Sequence, residues 1–155
     1  MVGTRPPAEI EFRLPGGWEP AGEPAPDGTF AALHVASAAS GFTANLTVHA
    51  TNRTDGDTLP EIADETVSRL RAESPDLRII DRGDFPDGFA QQLLLTAEVN
   101  GRTWEVTRAE IYAARGRGRT QTVLRAVLTC TVDQFAEVIP DFDAFLDTLS
   151  FVDGE

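Results

Sequence analysis

The sequence predicts an α+β domain, a mostly antiparallel sheet of about six or seven strands flanked by helices. Three observations lead there. Four strand-like runs follow one another between Leu77 and Thr131, joined by short turn signals. A capped helical segment precedes them, beginning at Thr58. A stripe of Phe135, Ile139, Phe142, Phe145, Leu146 and Leu149 follows them at the 3-4 spacing that lays one helix face on a sheet.

Taken in order, Glu9 to Leu14 reads as a strand stopped by Pro15-Gly16, and 15–28 reads as a Pro- and Gly-rich surface loop with Trp18 as its large apolar anchor. Phe30–Ser37 and Thr43–Thr51 form a hairpin-like pair around Ala38-Ala39-Ser40-Gly41, with Leu33 and Val35 expected to face the core beside Leu46 and Val48. Thr58-x-x-Glu61 is a capping box for a helix carrying Leu59, Ile62, Thr66, Val67 and Leu70 on one side, and Ser74-Pro75 ends it. The strands that follow are Leu77–Asp81, Phe89–Val99, Thr103–Ala114 and Thr120–Thr131. Asn100-Gly101 joins two of them by a tight primed turn, which needs positive φ at both positions, and Arg115-Gly116-Arg117-Gly118-Arg119 forms the next hairpin loop. Pro140 is expected to split the stretch Asp133–Leu149 into a short helix and a second one starting near that proline. A last strand covers Ser150-Phe151-Val152. The domain plan is a flexible N-terminus at 1–8, one domain over 9–152, and a tail at 153–155.

At 155 residues the chain fits a single domain, large enough to bury roughly 68–70% of its unfolded surface without staples. Cys130 is the single cysteine and reads as a small core residue on a Leu/Val-rich strand. Thirteen basic residues, every one arginine, stand against 25 acidic ones for a net charge of −12. That balance opposes attraction to phosphate backbones and anionic lipid, so no nucleic-acid partner is expected. The first residues lack an apolar signal run, and no stretch reaches the length that spans a bilayer, so the expectation is no membrane insertion and a cytoplasmic location.

The run Phe12-x-Leu14-Pro15-x-Gly17-Trp18, the strand Asn45-Leu46-Thr47-Val48, and Leu128-Thr129-x-Thr131 followed by Phe135, Phe142 and Leu149-Ser150-Phe151 carry a family resemblance. Over Glu9 to Val152 the chain resembles the PsbP-like α/β/α sandwich group, and within it the bacterial DcrB-like and actinobacterial LpqN-like proteins. The resemblance implies a non-catalytic accessory role: such members are photosystem assembly subunits, GTPase-binding factors, envelope lipoproteins and chaperones. It differs from the lipoprotein members in having no lipobox cysteine near the start.

No glycine-rich phosphate loop, GxSxG elbow or HExxH occurs, and no catalytic residue, metal or cofactor is expected. His34 and His49 alternate onto one face as diagonal neighbours but lack further ligands nearby in sequence. Asp55-Gly56-Asp57 with Glu61 and Asp64 has the carboxylates for a hard cation, yet not EF-hand spacing, and equally complements a helix dipole. The arginine island at 115–119 has the forks to recognise phosphate or carboxylate. Arg82-Gly83-Asp84 is an integrin-type tripeptide without a secretory context. The sheet itself is the main candidate: both parities of its strands are apolar, so either helices cover both faces or one face binds something.

Contact residues are expected to be Trp18, Gln91, Trp104, Arg108, Glu110 and Tyr112, the last four sharing one parity of one strand. They support two readings. In the first, a protein partner meets the sheet face or edge, as with an adaptor or chaperone. In the second, Trp104 and Tyr112 line an apolar pocket in which Arg108, Glu110 and Gln91 orient a small ligand. The strand Thr120–Thr131, with only Arg125 charged, would pair two copies into a homodimer if it lay at an edge.

Overall fold

The computed structural model describes residues 10–22, 29–86, 88–117 and 120–151. The expectations for 1–8, for Glu9 and Val152 as the outer ends of the first and last strands, for 23–28, for the Gly118-Arg119 tip and for the tail at 153–155 lie outside those residues. Among the described residues nine strands and two α-helices follow one another: β1 (Ile10–Glu11), β2 (Trp18–Pro20), β3 (Phe30–His34), β4 (Asn45–Arg53), α1 (Leu59–Glu73), β5 (Arg78–Phe85), β6 (Gly88–Val99), β7 (Arg102–Arg117), β8 (Thr120–Thr131), α2 (Phe135–Thr148) and β9 (Ser150–Phe151). Seven strands form one antiparallel sheet in the order β2-β3-β4-β8-β7-β6-β5, and β1 pairs with β9 in a separate two-stranded ribbon. This is the α+β sandwich expected from the sequence.

Local chemistry explains most element ends. Thr58 caps α1 by accepting the Glu61 amide, and the Glu61 carboxylate accepts the Thr58 amide at 2.7 Å, the reciprocal pair of a capping box. At the β6–β7 hairpin Asn100 and Gly101 adopt φ of 54° and 77°, as a primed turn requires.

Four expectations are corrected. Helix α2 runs unbroken through Pro140. The proline sits on the exposed side of the helix, where the carbonyl it leaves unpaired can turn to water while the buried stripe of Val138, Phe142 and Phe145 keeps the helix packed on the sheet on either side of it. Within the expected loop, Trp18–Pro20 forms β2, with Trp18 opposite His34. The inward parity of β3 is also reversed: Ala32 pairs with Leu46 and Phe30 with Val48, so Ala32 and His34 point inward while Leu33 (39% exposed) and Val35 (48%) point out. Pairing with β2 sets this register, since the inward place beside Trp18 goes to His34, and a one-residue slip flips every side chain. Val35 opens a 3-10 helix (Val35–Ser40), so strand alternation no longer governs it. Finally, β8 lies between β4 and β7 with Val127 buried, so the condition for dimerisation through its edge is not met. The edges of the main sheet are β2 and β5.

The two helices pack on opposite faces. Val138, Phe142 and Phe145 of α2 join Leu46, Val48, Leu124, Leu128 and Cys130 in one core. On the other face Ile62, Ala63 and Val67 of α1 meet Leu93, Leu95, Val106, Tyr112 and Val123. Burial pushes the Cys130 thiol up to about 12, so little thiolate exists near neutrality. We therefore expect a thiol reagent to leave the native protein unlabelled and to modify one cysteine per chain once guanidinium unfolds it; stoichiometric labelling of native protein would contradict this packing.

Candidate functional site

The β7 residues Arg108, Glu110 and Tyr112 alternate onto the face beneath α1, and register with β6 sets Gln91 directly opposite Glu110. Glu110 is completely buried (0% exposed) at the centre of a polar network. Its Oε1 accepts from Gln91 Nε2 at 2.9 Å and from the Tyr112 hydroxyl at 2.7 Å. Its Oε2 accepts from Arg108 Nη2 at 2.8 Å, with Arg125 Nη2 at 3.8 Å. The network reaches outward on both sides. Gln91 accepts from Arg82 of the edge strand β5, and Arg82 Nη1 donates to Asp64 of α1 at 2.8 Å. Tyr112 and Thr66 of α1 bring their hydroxyls within 3.3 Å.

Burial acts most strongly on Glu110 and favours the neutral acid. Arg108, the hydrogen bonds from Gln91 and Tyr112, and Arg125 together outweigh it and hold the carboxyl below its ordinary value. Tyr112 is raised to about 12 by burial and by the adjacent carboxylate. A carboxylate saturated with donors is held in its charged form and is a poor general base, so this arrangement ties α1 to the sheet rather than transferring protons.

Of the six expected contact residues, the structure brings four together: Gln91, Arg108, Glu110 and Tyr112. Trp104 shares their face but packs against Phe42 (ring centroids 5.8 Å apart) and under the Arg102 guanidinium at 3.9 Å. Trp18 lies on the α2 face, buried, its indole N–H donating to Asp141 at 2.9 Å and its ring 5.1 Å from His34. His34 and His49 occupy opposite faces and are not neighbours, because the β3 parity is reversed. The acidic cluster is turned inward on Arg53, whose Nη2 donates to Asp55, Asp57 and Glu65 at 2.6, 3.2 and 3.1 Å. Among the described residues no group of three or more His, Cys, Asp or Glu side chains could hold a metal. Arg115 lies over Phe151 at 5.5 Å.

Sequence reasoning missed Arg82, Thr66 and Arg125, which enter from an edge strand, a helix and a neighbouring strand. It also placed the open apolar surface on the parity that α1 covers. The open surface is on the α2 side, where α2 lies over β4 and β8 and, among the described residues, no helix lies over β5 and β6. Two adjoining hollows of about 340 and 220 Å³ run there, sharing Gln92 and Phe135. Ile80 (52% exposed), Phe85 (41%), Leu94, Ile111, Phe135 and Ile139 supply their apolar walls. The signal was the doubled Ile79-Ile80. A bulge sends Ile79 under α1 and leaves Ile80 exposed at the other hollow. Gly88 is where Phe85 folds back, since a Cβ there would sit 2.3 Å from the Phe85 ring and 2.6 Å from the Tyr112 carbonyl oxygen.

No family model matches the sequence and no curated protein is similar to it in sequence, but solved structures are similar in fold. LpqN, a protein involved in cell envelope biogenesis of Mycobacterium tuberculosis, superposes with a TM-score of 0.67 over 98% of this chain and 89% of that one, at 14% identity. The chain has the PsbP-like, LpqN-like fold. The Ran-binding protein Mog1p of Saccharomyces cerevisiae gives a TM-score of 0.63 over 93% of this chain and 90% of its own, at 13% identity. Cyanobacterial PsbP (CyanoP) from Synechocystis gives 0.51 over 98% of both chains, at 14% identity. No helix among the described residues is long and apolar enough to cross a membrane.

Proposed function

We propose that the protein is a non-catalytic accessory protein, an adaptor or chaperone-like module, that binds an extended segment of a protein partner along β5. The observation that carries this is the apolar groove beside an open sheet edge. Strand β5 is eight residues long and its outer backbone groups are unpaired within the sheet, a template on which a partner strand adds by main-chain hydrogen bonds. Side chains of such a strand that point to the α2 face meet Ile80, Phe85 and Phe135. Exposed apolar surface of this kind marks interaction sites in soluble domains. The fold neighbours support the reading, one of them being a Ran-binding protein. Its cytoplasmic location, expected from the sequence, belongs to the same reading.

A photo-crosslinking residue placed at position 80 or 85 tests this in native lysate, with position 33, an exposed apolar site on the other face, as the control. A discrete crosslinked protein band at 80 and 85 and none at 33 is the expected result. No band at 80 and 85, or the same bands at all three positions, would remove the groove as the docking site.

A further inference from the structure

Helix α1 leaves a cavity of about 120 Å³ against β4 and β8, walled by Thr66 and Arg69 of the helix and by His49, Thr51, Arg53 and Arg125 of the sheet. That volume holds several waters or one tetrahedral oxyanion. Its composition stands out in a chain of net charge −12, because three arginines line it and Glu65 is the one carboxylate among the lining residues. Arg53 is engaged by Asp55, Asp57 and Glu65. The other two arginines are differently placed. Arg69 is exposed on α1 and forms no ion pair among the described residues. Arg125 stands in register between His49 and Tyr112, and its nearest carboxylate oxygen, on Glu110, already accepts from Arg108. The Arg125 Nε is buried and has no hydrogen-bond partner among the described residues.

The Arg125 side chain is 27% exposed and its Nη2 lies 3.8 Å from Glu110, but the buried Nε still lacks an acceptor, and the natural complement of such a donor is an anion. Arginine N–H groups arranged in a fork match phosphoryl oxygens. Donors approach this cavity from two sides, arginine and threonine hydroxyl from the helix and the same pair of groups from the sheet, which suits a tetrahedral group better than a planar carboxylate. We propose that the cavity binds the phosphoryl head of a small ligand. The proposal is independent of the groove beside β5, which lies on the opposite face of the sheet.

Inorganic phosphate is the probe, titrated at constant ionic strength with acetate as the competing class and followed by NMR, including the arginine Nε–H signals. The expected result is saturable shifts confined to residues near His49, Thr51, Thr66, Arg69 and Arg125, with acetate much weaker. Arg69→Gln, a change on the exposed helix surface, should weaken phosphate binding about tenfold, the weight of one charged hydrogen bond, and leave the melting temperature without phosphate unchanged. Shifts that rise linearly, an equal or stronger acetate response, or phosphate binding indifferent to Arg69→Gln would overturn the assignment.

Discussion

Glu110→Ala is expected to destabilise the fold by about 3 kcal/mol, read as a fall in the midpoint of guanidinium unfolding. The carboxylate is wholly buried and accepts four hydrogen bonds, from Gln91, Tyr112 and the Nε and Nη2 of Arg108. Its removal leaves Arg108 and the Tyr112 hydroxyl without their acceptor in a site closed by α1. The effect falls toward the lower end of the range for broken buried pairs because the Arg108 and Arg125 side chains retain 18% and 27% exposure and can turn partly to water. The pH dependence carries a definite sign. The native carboxyl is held below its ordinary value of 4.5, so its stabilisation is fully present above that value and is lost as pH falls toward the native pKa. Unfolding midpoints of the wild type should therefore drop below about pH 4.5 more steeply than those of Glu110→Gln, which keeps the shape and has no proton to gain. Equal acid slopes in the two proteins would show that Glu110 does not carry this linkage.

Phe145→Ala is expected to cost about 3–5 kcal/mol, which for a domain of marginal stability removes a large share of the folded population at physiological temperature. Phe145 is fully buried where three pieces of chain meet. Its ring lies 5.2 Å from Phe12 of the segment before β2 and 6.3 Å from Phe142, and Phe12 in turn lies 4.9 Å from Phe30 of β3. Truncation opens a cavity between α2 and the sheet that these neighbours fill only in part, since the entry segment is also tied at Trp18 to Asp141 and at Arg13 to Thr148. Urea unfolding should shift its midpoint with an unchanged slope. A loss below about 1 kcal/mol would mean that the Phe12 segment collapses into the space. The same truncation at half-buried Phe135, on the rim of the groove, should cost far less.

Several elements were legible because neighbouring residues decide them. A capping box needs only Thr58 and Glu61, a primed turn only Asn100-Gly101, and β6, β7 and β8 are marked as strands by apolar and β-branched runs of twelve residues or more between turn signals. The stripe on α2 belongs to the same class. Gln91 falls opposite Glu110, in the row of Arg108 and Tyr112, because the Asn100-Gly101 hairpin fixes the register between their strands. Pro140 misled because a local rule was applied where tertiary burial decides: the proline removes one helix hydrogen bond on the wet side, and the packed side outweighs it.

What the sequence by itself determined was most of the longer elements, the cap of α1, the Asn100-Gly101 turn and the residues of one polar row on β7, all products of interactions within a few positions of chain, whereas β2 and the unbroken α2 were not among them. The tertiary structure alone decided that β8 is central and β5 an edge, that β3 presents Ala32 and His34 inward, and that Arg82, Arg125 and Thr66 converge on the row. It also decided which apolar parity is covered. A strand buried under a helix and a strand left open to a partner carry the same alternation, and the difference is made by where a distant helix lands. Here α1 lands over Leu93, Val106 and Tyr112, while α2 stops short of Ile80 and Phe85, and the groove is what remains between α2 and the edge.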